Sequence, residues 1–303
     1  MIQYLRHTDI DQAKWDLCIE QSVNSMVYGF SWYLNIVSPN WEALVLGDYL
    51  AVMPLTAHRK YFIKYLSQPF FTQQLGVFSK TAISQETIQE FLHSIPLSFR
   101  FIDIQLNEQN QVLDEKLKIR KRKNYVLDLD RSYEKIQKGY NSQAKRNLKS
   151  AKKFGLELRS ISAKEVLVFY KLHKAISTRG VKSSDYNRLQ QLMEMAHNYR
   201  NILCKGVFSK SGEMLAAGAF LVHKNRVIFL LGNGSEQGRE MGGMTFLMDS
   251  LLFQFSNLQM LFDFEGSEID GIARFFKSFG PEKRNYYRFK RNRLPWILRL
   301  FKS

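Results

Sequence analysis

Hydrophobic and polar positions in the first half of the chain repeat with two different periods, which predicts both strands and helices. Residues 41–59 contain two strand-like apolar runs that meet at Gly47-Asp48, a pair typical of a β-hairpin turn. Residues 98–106 alternate as a strand does, whereas residues 84–91 follow the period of a helix that begins at a serine. We therefore expect a mixed α/β structure.

The second half of the chain predicts a longer series of elements. A basic helix over residues 142–154 ends at Gly155, and a strand at 156–160 and two helices follow it. The chain then predicts three antiparallel strands, at residues 202–209, 214–223 and 226–232. After a glycine-rich turn it predicts a helix at 245–255, a strand at 260–264, a helix at 268–279 and a strand at 286–290. This order predicts mixed sheets that pack against helices.

Length and an internal similarity indicate two domains. The 303 residues exceed the usual size of a single domain. Gly47–Leu55 resembles Gly212–Phe220, because in both places a glycine and an acidic residue open a strand that reads x-Leu-Ala. Hairpins converge easily, so chance explains this match equally well. We expect two domains, residues 1–130 and 131–303, packed around a cleft.

The net charge of +16 favours a polyanionic partner: nucleic acid, a phosphorylated cofactor or an anionic membrane surface. The basic residues cluster in three runs, at 116–123, 145–153 and 283–302. Any single run is more simply a solvated face, but three runs together make a shared anionic partner a better explanation.

Cysteine, histidine and apolar patterns exclude several classes of protein. The two cysteines lie far apart, which argues against a disulfide scaffold, and the six histidines show no pair at metal-ligand spacing. No apolar run is long enough to span a membrane, and the N-terminal residues lack the hydrophobic region of a signal peptide. We expect a cytoplasmic protein without a metal.

A loop in the second half resembles the R/Q-x-x-G-x-G/A loop of GNAT acyltransferases. It reads Arg239-Glu240-Met241-Gly242-Gly243-Met244, with Met244 where a small residue is usual, and residues 271–280 resemble the helix that follows in that superfamily. The resemblance implies an acyl-CoA whose pyrophosphate binds at this loop and at the next helix start, through Gly238, Arg239, Gly242, Gly243, Met244 and Thr245. The alternative is that these glycines only form turns.

Two further segments, 147–155 and 263–267, resemble the tandem-domain Fem-like and BioF2-like branch of GNAT proteins. That branch includes aminoacyltransferases that extend peptidoglycan precursors with aminoacyl-tRNA. The resemblance is densest over residues 120–295 and implies two GNAT-like domains that transfer an acyl group to an amine. The donor is acyl-CoA or aminoacyl-tRNA, and the acceptor is a peptidoglycan or lipid precursor, an amino sugar or a protein lysine. The rival interpretation is a catalytically silent module that binds RNA or membrane.

Acyl transfer to an amine requires a base, and Glu265 is the first candidate, ahead of Asp263. Strand alternation places both acids on one face at the open end of the strand at 260–264, although a buried ion pair explains Asp263 slightly better than catalysis. Phe276 stands where many GNAT enzymes have a proton-donating tyrosine, so Tyr286 or Tyr287 is a substitute candidate, with core packing as the alternative. Ser267 is interpreted as a helix cap.

The basic, apolar segment Arg288–Ser303 has the composition of a segment that lies on an anionic membrane, here at the inner membrane surface. The alternative is that its apolar residues pack back onto the first domain.

Overall fold

The computed structural model describes residues 1–112, 117–173, 182–266 and 269–296. The chain divides into two compact units. The first contains Met1–Arg122 and Asn285–Ser303, and the second contains Lys123–Arg284. Both units combine strands with helices, so the predicted mixed α/β class is confirmed. The sequence predicts residues 285–303 in the second domain, whereas the described residues 285–296 group with the first unit.

The elements follow the chain in this order. The strands are β1 Ile2–Leu5, β2 Glu42–Leu46, β3 Ala51–Leu55, β4 Ala57–Lys60, β5 Ile63–Ser67, β6 Phe78–Ser79, β7 Phe99–Leu106, β8 Ile119–Asp128, β9 Glu157–Ser160, β10 Ile202–Phe208, β11 Met214–His223, β12 Arg226–Gly234, β13 Leu261–Asp263 and β14 Glu282–Asn292. The helices are α1 Gln12–Gln21, α2 Ser31–Val37, α3 Gln85–Ser94, α4 Tyr133–Lys138, α5 Ser142–Phe154, α6 Ala163–His173, α7 Ser183–Asn198, α8 Glu236–Met241, α9 Gly243–Phe255 and α10 Asp270–Lys277.

The first unit contains two groups of strands. One is a four-stranded sheet in the order β1-β2-β3-β6, and the other has the order β4-β5-β7-β14. The predicted hairpin at Gly47-Asp48 joins β2 to β3, with Gly47 in the left-handed conformation (φ 57°) that glycine adopts without strain. Trp15 and Trp41 are fully buried with ring centroids 4.5 Å apart, and they anchor α1 to the turn before β2.

The second unit has strands in the order β8-β13-β12-β11-β10-β9, in which β12 and β13 run parallel and the other pairs are antiparallel. Helix α5 has the predicted bounds because Asn141 caps its first turn and Gly155 ends it at φ 62°. The core lies between this sheet, α5 and α9, with Phe220, Phe262 and Phe264 fully buried.

The C-terminal segment was predicted either to lie on a membrane or to pack onto the first domain, and the described start of the segment packs. Residues Tyr287–Asn292 pair with β7, Arg288 binds Asp103 with an Nε–Oδ1 distance of 2.6 Å, and Phe289 is buried in the core of the first unit. The start of this segment therefore packs within the first unit. Residues 297–303 and the predicted cap Ser267 lie outside the described residues.

Candidate functional site

A cavity of about 480 Å³ opens in the second unit between the end of β12, the start of α9, and α10. Its apolar wall includes Phe229, Met244, Phe275 and Phe276. Its polar groups are Asn147 of α5, Tyr170 of α6, Asn233, Arg239 and Thr245. A mostly apolar cavity with a few converging polar groups has the composition of a small-molecule site.

Five of the six predicted donor residues line this cavity: Gly238, Arg239, Gly242, Met244 and Thr245. The predicted donor residues therefore lie together at one concavity, and their role in binding a donor stays a prediction. The loop itself is not open, because residues 236–241 form helix α8 where the sequence predicted a turn.

Three backbone amides of this loop are engaged within the chain. The amide of Gly238 donates to Ser235 Oγ at 3.0 Å, that of Arg239 donates to the Ser235 carbonyl at 3.0 Å, and that of Gly242 donates to the Arg239 carbonyl at 3.3 Å. A pyrophosphate loop needs such amides for the phosphate oxygens. The chain's own hydrogen bonds thus occupy three of the amides that a CoA pyrophosphate would use at this loop.

The glycines of the loop fit against protein rather than against open space. A β-carbon at Gly238 would overlap the carbonyl oxygen of Leu215, and one at Gly242 would overlap the carbonyl oxygen of Asn147. Gly242 also has φ 81° and joins α8 to α9. These positions are closely packed, so bulky substitutions there test the stability of the fold and not donor binding.

We expect Gly242→Ala to lower the free energy of unfolding by about 2–4 kcal/mol, the sum of a left-handed backbone and an overpacked contact. Gly212→Ala is the matched control, because Gly212 has φ 84° but a β-carbon there would meet no atom within 4 Å. The control isolates the backbone cost, about 1–2 kcal/mol. Urea unfolding measures both, and equal losses would contradict the close contact with Asn147.

Two cavity residues lie on helices that the sequence analysis did not connect with the site. Asn147 Nδ2 donates to Thr245 Oγ1 at 3.0 Å and its Oδ1 accepts from Gln143 Nε2 at 2.8 Å, so α5 is tied to the start of α9. Burial raises the pKa of Tyr170, which keeps its hydroxyl protonated through the neutral range. Tyr170 thus places a hydroxyl among the lining residues of the cavity, a group that Phe276 lacks.

Phe276 packs in the core of the second unit. Its ring lies 5.9 Å from that of Phe229 and 5.6 Å from that of Phe264. These contacts explain an aromatic residue without a hydroxyl at this position.

Asp263 is 1% exposed and forms the buried ion pair that the sequence analysis considered. Its Oδ2 lies 2.6 Å from Arg226 Nη1, and its Oδ1 accepts from Asn124 Nδ2 at 3.0 Å and from the Glu265 amide at 2.9 Å. The carboxylate therefore joins β8, β12 and the turn that follows β13.

Glu265 lies in a turn and not on the strand. Strand β13 ends at Asp263, and Glu265 has φ 59°, so the predicted alternation does not extend to it. In the parallel pairing of β12 and β13, Asp263 lies opposite Ile228. The turn that contains Glu265 therefore begins beside Phe229, which follows Ile228 on β12 and lines the cavity. The third predicted residue, Tyr286, is buried on β14 within the first unit.

The fold of this chain is found in several solved structures. The structure described as FemX is 12% identical with a TM-score of 0.69, covering 99% of this chain and 100% of that one. The structure of L-PGS from Bacillus licheniformis is 11% identical with a TM-score of 0.58, covering 96% and 95%. A tandem GNAT protein from the clavulanic acid biosynthesis pathway is 11% identical with a TM-score of 0.55, covering 97% and 99%.

These likenesses establish a tandem GNAT-like fold, as predicted. The model of the FemAB family matches residues 109–195, and the Fem-like branch of GNAT proteins recognised from the sequence is thereby confirmed. No curated protein matches the sequence. Within the described residues, no helix is both long and apolar enough to cross a membrane, and no cluster of three or more metal-binding side chains occurs.

Proposed function

We propose that the protein is a transferase that moves an aminoacyl group from aminoacyl-tRNA to an amine acceptor, with the acyl end of the donor in the cavity of the second unit. The observation that carries this proposal is the cavity itself. It has room and apolar surface for an amino-acid side chain and lies beside the start of α9. The match to the FemAB family and the fold shared with FemX support the same chemistry.

The choice of aminoacyl-tRNA over acyl-CoA rests on the loop amides. Those of Gly238, Arg239 and Gly242 donate within the chain, which disfavours a pyrophosphate at this loop. A tRNA requires no pyrophosphate pocket, and its backbone suits the net charge of +16. This donor was the alternative in the sequence analysis, and an acyl-CoA donor becomes the second candidate.

In the proposed reaction the amine nitrogen attacks the ester carbonyl carbon, a C–N bond forms, and the ester C–O bond breaks. Glu265 accepts the proton of the amine, directly or through water, and Tyr170 donates a proton to the departing ribose oxygen. Asp263 acts as a positioning residue, since it holds the amide of Glu265 and the guanidinium of Arg226. A role for Tyr286 stays a prediction.

The acceptor is proposed from chemistry alone, as a precursor or small molecule with a free amine. A solved structure described as the C-terminal domain of a putative lysylphosphatidylglycerol synthetase has the same fold, which supports a lipid-linked acceptor. Contact with an anionic membrane at the inner surface of the cell is proposed as well.

Binding of charged and uncharged tRNA tests the proposal, with Gly271→Leu as the key variant. Gly271 lines the cavity on α10, and a β-carbon there meets no atom within 4 Å, so a leucine fills the cavity without strain. We expect the wild type to bind charged tRNA about tenfold more tightly than uncharged tRNA. The variant loses this difference and keeps its stability, because leucine favours a helix more than glycine does.

Arg274→Leu is the matched control, since Arg274 lies on the same helix and is exposed. It should keep the preference for charged tRNA. A wild type that binds acetyl-CoA tightly, with that binding lost in Gly271→Leu, would establish the acyl-CoA donor instead. Equal binding of charged and uncharged tRNA to the wild type would refute the donor proposal.

A further inference from the structure

The hairpin of β4 and β5 carries two aromatic residues on its tip. The register pairs Lys60 with Ile63, so the turn consists of Tyr61 and Phe62 alone. Tyr61 is 82% exposed and Phe62 is 97% exposed. An exposed aromatic pair at the end of a hairpin adds nothing to the core and leaves apolar area in water.

The backbone of this turn makes the aromatic pair unfavourable for folding. Tyr61 has φ 46° and Phe62 has φ 61°, the left-handed conformation at both central positions of the turn. Such a two-residue turn prefers Asn-Gly, and an L-residue without a short polar side chain costs about 1–2 kcal/mol at each position. Folding alone therefore does not account for Tyr61 and Phe62, whereas a ligand for their rings would.

The charge around the tip is positive. Arg59 and Lys60 are exposed beside it, and Lys60 Nζ lies 5.3 Å from the centroid of the Tyr61 ring. The sequence has no acidic residue between Asp48 and Glu86. The tip is therefore basic as well as apolar, a combination that suits a partner with anionic and apolar groups.

Other exposed apolar and basic side chains lie at the same end of the sheet. Strand β7 runs parallel to β5 with Phe99 opposite Lys64, so Leu97, which is 64% exposed, precedes β7 at the end where the hairpin turns. The Arg293 amide donates to the Arg100 carbonyl at 2.7 Å, which brings the end of β14 to this edge. Trp296, which is 74% exposed, follows three residues later.

We propose that this end of the first unit, which we call the hairpin edge (Arg59–Phe62, Leu97, Arg100, Arg293 and Trp296), docks on an anionic lipid bilayer. Tyr61 and Phe62 enter the interface between headgroups and acyl chains, and the basic side chains contact lipid phosphates. Aromatic residues with an apolar tip and a basic rim suit this interface. The proposal rests on the membrane contact proposed above and names the surface that makes it, whereas it does not depend on the transfer reaction.

The shape of the edge favours a bilayer over RNA. Single-stranded RNA binds along grooves where aromatic rings stack on successive bases. Here the aromatic residues stand on a protruding turn, and the neighbouring Leu97 is aliphatic and offers no stacking face. A bilayer accommodates both.

Vesicle sedimentation with the double variant Tyr61→Asn/Phe62→Gly tests the proposal. The probes are vesicles of phosphatidylcholine with about 30% phosphatidylglycerol, and pure phosphatidylcholine as the neutral comparison. We expect the wild type to bind the anionic vesicles. The variant should bind them about 10- to 100-fold more weakly, because it lacks the two aromatic side chains that enter the bilayer. The same variant installs the preferred turn residues, so its thermal unfolding midpoint stays equal or rises.

Leu50→Asn is the matched control, because Leu50 is an exposed apolar residue in the other hairpin of the first unit. It should bind vesicles as the wild type does.

Arg59→Glu/Lys60→Glu should abolish the preference for anionic vesicles. Wild-type vesicle binding by the Tyr61→Asn/Phe62→Gly variant would overturn the proposal. So would loss, in this variant, of a self-association or of an RNA complex that the wild type forms without lipid.

Discussion

Replacing Glu265 with glutamine should lower turnover by about 10²–10⁴-fold and leave donor binding unchanged, the effect expected for removal of a general base. Glu265 is half-buried, in a turn held by the bond from its amide to Asp263. Glutamine preserves the size of the side chain and removes only its capacity to accept a proton. Steady-state kinetics across pH, with charged tRNA as donor and an amine as acceptor, measure the change.

Asp270→Asn is the control for this experiment. Asp270 is an exposed acid at the start of α10, so its loss removes a nearby negative charge without removing the proposed base. We expect near-wild-type turnover from it. If Glu265→Gln keeps both the wild-type turnover and the acidic limb of the pH profile, Glu265 is not the base. If the variant only raises the KM for the acceptor, Glu265 contacts the acceptor instead.

Replacing Asp263 with asparagine should lower the free energy of unfolding by about 3–5 kcal/mol, because it removes the buried carboxylate that pairs with the guanidinium of Arg226. The Arg226–Asp263 pair joins two strands at 2.6 Å, and both side chains are largely withdrawn from water. Chemical denaturation followed by circular dichroism measures the loss.

The exposed pair of Asp128 and Arg131, in the same unit, is the matched control. Its Arg131 Nη2–Asp128 Oδ2 distance is 2.9 Å, but both side chains are more than a third exposed. We expect Asp128→Asn to cost less than about 1 kcal/mol. Equal costs at Asp128 and Asp263 would show that burial does not decide the strength of these pairs. The double variant Arg226→Met/Asp263→Leu should recover part of the loss.

Local signals in the sequence were sufficient for much of the fold. The cap at Asn141 and the stop at Gly155 define α5, and the Gly47-Asp48 turn defines the hairpin of β2 and β3. In both cases the residues that set the backbone are next to the element that they limit. Helix α8 has a similar cap at Ser235 and a similar stop at Gly242, but it was not predicted because six residues are too few to show a helical period.

Part of the candidate site was predictable because its residues are also close together in the sequence. The donor loop is contiguous in sequence, and five of its six residues do line the cavity. Asn147 and Tyr170 come from other helices, so only the tertiary structure brings them there. The position of Glu265 required a backbone turn after Asp263, which strand alternation cannot foresee.

The return of the last strand to the first unit has a consequence for biosynthesis. Residues 123–284 are continuous, so the second unit has all of its chain as soon as residue 284 leaves the ribosome. Residues 1–122 of the first unit are synthesised earlier, but this unit is incomplete until β14 has been made. Until then the edge of β7 that pairs with β14 has no strand beside it. A nascent or truncated chain that stops before residue 285 therefore exposes an unpaired strand edge, a template for aggregation.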